Sequence, residues 1–254
     1  MSLDELAPIG LDELVDRAGL LTRVDRKYLL PVAVLPQVLA GLPAGTRVLR
    51  IDRRQRFRYR SAYLDTPGLD SYLTTAHRRR RRFKVRIRSY LDSGTHFLET
   101  KTRGPRGTTV KTRFPYEGGR THLDPDMRDL AVAALADAGV AAEGFRFDLA
   151  LTTAYERTTL FLPSTSSRVT IDEHLTWTLP GGPALTTPGR VIVETKSGRS
   201  TSPVDRLLWS LSHRPCPVSK YATGLAALRP DLPANRWRSV LRRHFESTAA
   251  AERC

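Results

Sequence analysis

The amino-acid sequence predicts a mainly β chain with flanking helices, an α+β fold whose strands run antiparallel and form a barrel or a sandwich. Three observations carry that expectation. About eight segments place apolar residues at every second position. Turn-forming groups separate several of them, among them Asp65-Thr66-Pro67-Gly68 and Leu91-Asp92-Ser93-Gly94. The regular alternation of strand and helix that a doubly wound parallel sheet needs is missing.

Taken in order, residues 3–19 alternate acidic and apolar groups at helical spacing, with Leu11, Leu14 and Val15 on one side, and predict a packed lead-in helix. Residues 22–30 read as extended, and Pro31 opens a helix toward Gly41 despite the awkward Pro36 inside it. From 47 to 65 the period is two, and the turn at 65–68 ends that strand. Residues 83–90 (FKVRIRSY) and 95–101 (THFLETK) alternate again and pair through the 91–94 turn. Residues 108–116 add a strand. Residues 124–138 form the clearest helix, capped by Asp124 and opened by Pro125. Strands resume at 146–162, 167–179 and 189–197, followed by helices at 203–212 and 219–228 and a basic amphipathic segment from Asn235 to Phe245.

The 254 residues suit one domain, 1–254, with a sizeable core. No apolar run approaches the ~20 residues of a membrane span, and no secretory start is present. Cys216 lies between prolines and Cys254 ends the chain, without the spacing of a disulfide framework or a zinc site. A cytoplasmic location is the expectation. The net charge of +15, from 41 Lys+Arg against 26 Asp+Glu, points to nucleic acid, an anionic membrane surface or a small polyanion.

Position narrows that choice, because residues two apart on a strand share a face. Lys84, Arg86 and Arg88 share one face of their strand, while Phe83, Val85 and Ile87 share the other. Taken alone, this segment also fits an ordinary half-exposed strand. Glu99 and Lys101 recur as a pair in Glu194 and Lys196, and each pair alone fits a surface ion pair. Tyr155 with Arg157, Lys111 with Arg113, and Arg168 with Thr170 and Asp172 repeat the habit. If these faces shared an interior, burying so many like charges would require a polyanion and water there. Phosphates meet that need. Arginine forks and lysine charge hold phosphoryl oxygens, and the carboxylates hold a divalent cation against them.

The blocks DRKYLL (25–30), YRSAYLDT (59–66), FKVRIRSY (83–90), FLETK (97–101), YERTTLF (155–161), RVTIDEHL (168–175), VIVETKSG (191–198) and VSKYATG (218–224) together resemble the catalytic domain of the vacuolar transporter chaperone (VTC) family. That family belongs to the triphosphate tunnel metalloenzymes, the CYTH-like superfamily. The resemblance covers residues 22–228, leaving 229–254 as a basic C-terminal helix. It implies an eight-stranded antiparallel triphosphate tunnel barrel that transfers the γ-phosphate of ATP to a growing inorganic polyphosphate chain, with Mn²⁺ or Mg²⁺. Carried over by position, it makes Lys27, Arg86, Arg88, Arg157 and Lys220 the catalytic cations. It assigns phosphate binding to Lys84, Lys101, Lys111, Tyr155, Arg168, Lys196 and Ser219, and metal to Glu194 with Glu99.

Other readings remain beside it. The same tunnel with water as acceptor would be a metal-dependent tripolyphosphatase or nucleoside triphosphatase, and a noncatalytic polyanion-binding module is a further option. The run Arg78 to Arg82 reads as a solvated turn or an electrostatic funnel. Aromatic platforms are sparse around it, so no nucleic-acid partner is expected. In the terminal segment, Trp237, Val240, Leu241 and Phe245 fall near one helical face, which predicts packing rather than membrane contact. The six histidines show no metal-binding spacing.

Overall fold

The computed structural model describes residues 2–18, 24–104, 109–198 and 200–245. In chain order these form β1 (Ala7–Ile9), α1 (Leu11–Ala18), β2 (Val24–Pro31), α2 (Leu35–Ala40), β3 (Arg47–Leu49), β4 (Arg56–Asp65), α3 (Asp70–Ala76), β5 (Phe83–Tyr90), β6 (Thr95–Arg103), β7 (Thr109–Pro115), α4 (Pro125–Ala136), β8 (Asp148–Leu162), β9 (Ser167–Thr178), β10 (Ala184–Thr186), β11 (Arg190–Ser197), α5 (Pro203–Ser210), α6 (Lys220–Leu228) and α7 (Arg238–His244). Gly19, residues 22–23 and 108 of the expected strands, and 246–254 with Cys254 lie outside the described residues.

The fold is α+β with an antiparallel sheet, but the expected eight-stranded barrel, and the tunnel with it, is not formed. Strands hydrogen-bond in the order β2-β11-β9-β8-β4-β5-β6-β7, with β1, β3 and β10 off this path. The path ends at β2 and β7, and no pairing joins these ends among the described residues. Alternation decides which face of a strand is apolar. Closure depends on tilt and stagger between strands, which alternation does not encode.

The chain divides into two compact units, the first being Met1–Phe57, Tyr155–Leu175 and Thr187–Val218. Within it, β2, β11 and β9 are consecutive antiparallel neighbours. Their alternate residues Tyr28, Leu30, Val191, Val193, Val169 and Ile171 form a core with Val38 of α2 and with Val204 and Leu208 of α5. Asp205 ties this layer together. Fully buried, it accepts hydrogen bonds from Tyr28 Oη (2.7 Å), Thr195 Oγ1 (2.6 Å), Arg26 Nη1 (3.3 Å) and the Ser202 backbone N–H (3.0 Å) at the start of α5.

The second unit comprises Arg58–Ala154, Thr176–Thr186 and Ser219–Cys254. Phe83, Val85 and Ile87 of β5 bury with Ala62, Leu64 and Leu98 against Ala131 and Leu135 of α4. Asp124 caps α4 as expected, its carboxylate accepting from the Met127 N–H at 2.9 Å. The single strand expected over 47–65 is instead two, β3 and β4. Asp52 and Arg53 adopt φ of 46° and 65°, and Ile51 and Arg54 close a tight turn. Helix α3 was not legible from periodicity. It is held by Asp65, whose carboxylate accepts from the N–H groups of Thr66, Ser71 and Tyr72 at 2.8, 2.9 and 2.9 Å.

Arg78 to Arg82 form a turn between α3 and β5, with Arg78 to Arg81 exposed. Trp237, Val240 and Phe245 are buried, Trp237 against Tyr72 and Phe245 against Trp177. Cys216 is a free thiol. No helix among the described residues is long and apolar enough to cross a membrane.

Candidate functional site

In the second unit the sheet face opposite the α4 core is built by register. Arg86 pairs with Glu99, which pairs with Arg113; Lys84 pairs with Lys101, which pairs with Lys111. Arg88 lies one alternation further along β5. Three adjacent strands therefore bring six cations, Lys84, Arg86, Arg88, Lys101, Lys111 and Arg113, to one face with the single carboxylate of Glu99.

Glu99 is 2% exposed. Arg86 donates to its Oε2 from Nε (2.8 Å) and Nη2 (2.6 Å), Lys111 Nζ lies 2.6 Å from Oε1, and Arg88 Nε stands 3.7 Å from Oε2. Burial pushes the carboxyl up, but the charges of Arg86, Arg88 and Lys111 outweigh it and hold Glu99 well below the usual carboxylate range. Desolvation pushes Lys111 down to about 8 against the opposing pull of Glu99. Arg86 also donates to Tyr63 Oη at 3.2 Å, and the Arg113 guanidinium lies 3.4 Å from the Phe97 ring centre. Ser61, opposite Arg88, is fully buried, and its hydroxyl has no hydrogen-bond partner among the described residues.

Lys84 Nζ donates to Ser219 Oγ at 2.8 Å, and Ser219 caps α6 by accepting from the Ala222 N–H at 3.2 Å. Lys220 opens that helix, its carbonyl accepting from Trp177 Nε1 at 2.7 Å.

The first unit carries its own charged face. Glu194 of β11 pairs in register with Lys27, and Lys196 with Arg168. Lys196 Nζ lies 2.8 Å and Lys27 Nζ 3.6 Å from the Glu194 carboxylate. Burial opposes the charge on Glu194, but Lys196, Lys27 and Arg157 prevail and hold it well below the usual carboxylate range. Burial likewise pushes Lys196 down to about 7, with Glu194 opposing and Arg157 adding to the fall. Arg157 stands against Tyr155 and forks onto the fully buried Asp172, with Nε to Oδ1 at 2.6 Å and Nη2 to Oδ2 at 2.9 Å. The buried Thr170 hydroxyl, between Arg168 and Asp172 on β9, has no hydrogen-bond partner among the described residues.

Lys84, Arg86, Arg88, Glu99, Lys101, Lys111 and Ser219 thus gather in one unit, and Lys27, Tyr155, Arg157, Arg168, Glu194 and Lys196 in the other. The sequence alone assigns Asp172 no role, although the period of two sets it on the face of Arg168. Nor does it point to Tyr63 and Ser61, since their places opposite Arg86 and Arg88 follow from register alone. No three His, Cys, Asp or Glu side chains gather as a metal cage among the described residues. The donor chemistry of Glu194 still fits Mg²⁺ or Mn²⁺ shared with a substrate, because such ions bind through one or two carboxylates plus phosphate oxygens.

Among known proteins, the family model for the VTC domain matches residues 22–229. No curated protein matches the chain. Among solved structures, a conserved hypothetical protein from Pyrococcus furiosus is 14% identical, covering 75% of this chain and 88% of that one at a TM-score of 0.40. A putative adenylate cyclase from Vibrio parahaemolyticus is 14% identical, covering 82% and 87% at 0.37. A putative adenylyl cyclase from Hippeastrum, described as having a dominant triphosphatase activity, is 16% identical, covering 80% and 95% at 0.38. Likeness this low carries no argument about chemistry. The match to the family model does settle descent: this chain belongs to the VTC domain family.

Proposed function

We propose that the chain is a metal-assisted phosphoryl-transfer enzyme that cleaves the terminal phosphoanhydride of a linear triphosphate, either inorganic triphosphate or a nucleoside triphosphate such as ATP, with water as acceptor. One observation carries this reading: six cations of three adjacent strands share a face with one carboxylate. That excess of charge complements a chain of phosphates. Arg86 and Arg88 bind phosphoryl oxygens in this reading, Lys111 and Lys101 add charge, and Lys84 with Ser219 holds the chain's end. Arg86 and Arg88 also stabilise the charge that develops on the leaving oxygen.

On its own unit, Glu194 would hold Mg²⁺ or Mn²⁺, with Lys27, Lys196 and Arg157 balancing the charge around it. A metal bound there would supply positive charge to phosphoryl oxygens that reach it. Water attacks the terminal phosphorus, the bond to the bridging oxygen breaks, the diphosphate departs with the electron pair, and the water proton passes to phosphate or solvent.

A second reading follows from family membership: the acceptor is the end of a growing polyphosphate chain, already charged and needing no proton removed. One assay separates the two. With Mn²⁺, hydrolysis yields orthophosphate with ADP from ATP, or orthophosphate with diphosphate from tripolyphosphate, whereas synthesis from ATP yields ADP and long acid-labile polyphosphate. Arg86→Ala and Glu194→Gln should each lower turnover by ~10²–10³-fold. Binding of tripolyphosphate without either product would establish a noncatalytic module and overturn both.

A further inference from the structure

Behind the charged face, on the side of β6 and β7 that faces α4, lies a groove of about 640 Å³ that phosphoryl transfer leaves unused. Helix α4 buries Ala131 and Leu135 against Leu98 and Ile87. Toward β7 this cover stops, leaving Val110 46% exposed and Leu130 of α4 38% exposed. Val110, Phe114 and Leu130 line the groove together with Arg80, Arg81 and Arg103, and its lining includes one carboxylate, Asp137. The arginine cluster extends past the groove. Arg236 Nη1 and the Arg78 N–H both donate to the Thr75 carbonyl, at 3.0 and 3.3 Å, and the charges of Arg78 and Arg103 bear on Arg236.

Strand β7 also ends the sheet path, so its outer backbone groups meet no further strand among the described residues. An open edge of this kind templates the addition of an extended segment.

We propose that the β7 edge and this groove dock an extended acidic segment of a partner protein, one in which carboxylate and apolar side chains alternate. A strand added along β7 sends successive side chains to opposite faces. One set then meets Val110, Phe114 and Leu130, and the other meets the side of Lys111 and Arg113, while flanking carboxylates reach Arg80, Arg81 and Arg103. A phosphate chain would leave the apolar floor uncovered. A second copy of this chain brings another net +15 and is repelled.

The test is fluorescence anisotropy at about 0.15 M salt, where surface attraction is screened beyond ~8 Å. The probe is a fluorescein-labelled decapeptide of alternating glutamate and valine, compared with one of the same composition in two blocks. The alternating peptide should bind saturably and about tenfold more tightly than the block peptide. Leu130→Asp and Arg81→Glu should each weaken it by about tenfold while leaving the melting temperature and triphosphate turnover unchanged. Leu130 is exposed on a helix surface, so its variant is expected to fold. Equal affinity for both peptides, or displacement of the alternating probe by duplex oligonucleotide, would overturn the proposal in favour of a surface that reads charge alone.

Discussion

Glu99 is one anion held among Arg86, Arg88 and Lys111, and removing its charge leaves three cations facing one another at 2% exposure of the partner that separated them. Glu99→Gln should therefore cost about 3–5 kcal/mol in denaturant unfolding. Tripolyphosphate should raise the melting temperature of the variant more than that of the wild type, because the ligand replaces the lost counter-charge; an equal rise in both would argue that phosphate binds elsewhere. Lys111 makes the pH dependence explicit. Its proton leaves near pH 8, rather than at the ordinary 10.5, so above pH 8 the free face has lost a positive charge that a bound polyanion would restore. Affinity for tripolyphosphate should fall as pH rises through 8, and binding there should take up protons. Calorimetry at pH 8 in two buffers of different ionisation heat measures that uptake, which Lys111→Met should abolish. Proton release on binding by the wild type would contradict the assignment. These residues were only partly legible beforehand. Alternation along one strand sets Arg86 beside Arg88, but the hydroxyls of Tyr63 and Ser61 come from a strand paired at a register that no local pattern states.

Elements read well wherever they carry a local chemical signature. Asp124 before Pro125 announced α4, and the 91–94 turn with Gly94 at φ of 71° announced the β5–β6 hairpin. Those that failed depend on partners distant in sequence or on unusual backbone. Helix α3 rests on the Asp65 carboxylate before it and on Tyr221 Oη, which also donates to Asp65 from α6. Between β3 and β4, the apolar period continues through Asp52 and Arg53, whose left-handed backbone breaks the strand. Helix α6 shows a third kind of hidden constraint. Gly224 sits in mid-helix, where glycine is disfavoured, yet a β-carbon there would run into the indole of Trp177. That indole is fully buried and donates from Nε1 to the Lys220 carbonyl at the start of the same helix. Gly224→Ala should consequently destabilise the protein by about 1–3 kcal/mol, against the usual helix preference for alanine. Gly10→Ala is the control, since nothing lies within 4 Å of its β-carbon position. Thermal unfolding should lower the melting temperature of the Gly224 variant by ~2–4 °C per kcal/mol and leave that of the control nearly unchanged; a stabilised Gly224 variant would show that α6 does not approach Trp177 so closely.

At the scale of the whole molecule, the net charge of +15 is spread over two kinds of environment that salt distinguishes. Arg78 to Arg81 stand on an exposed turn, whereas Arg88 is 9% and Lys196 8% exposed. Exposed charges lose their reach once the screening length falls to ~8 Å at physiological ionic strength, and buried ones lose much less. At low salt the chain should bind duplex oligonucleotide and tripolyphosphate alike, because both answer to net charge. Raising salt from about 0.05 to 0.2 M should weaken duplex binding by ~10³-fold or more, as released counterions lose their advantage. Tripolyphosphate affinity should fall far less, being held in direct contact by the buried Arg88 and the half-buried Arg86 and Lys84 rather than by a field at a distance. Reversing the exposed charges Arg79→Glu and Arg80→Glu separates the two further: duplex binding at low salt should weaken, with tripolyphosphate affinity and turnover retained. Parallel salt slopes for the two ligands, or equal losses in the reversed variant, would mean that the charge acts as one diffuse surface and that the alternating strand positions select no particular polyanion.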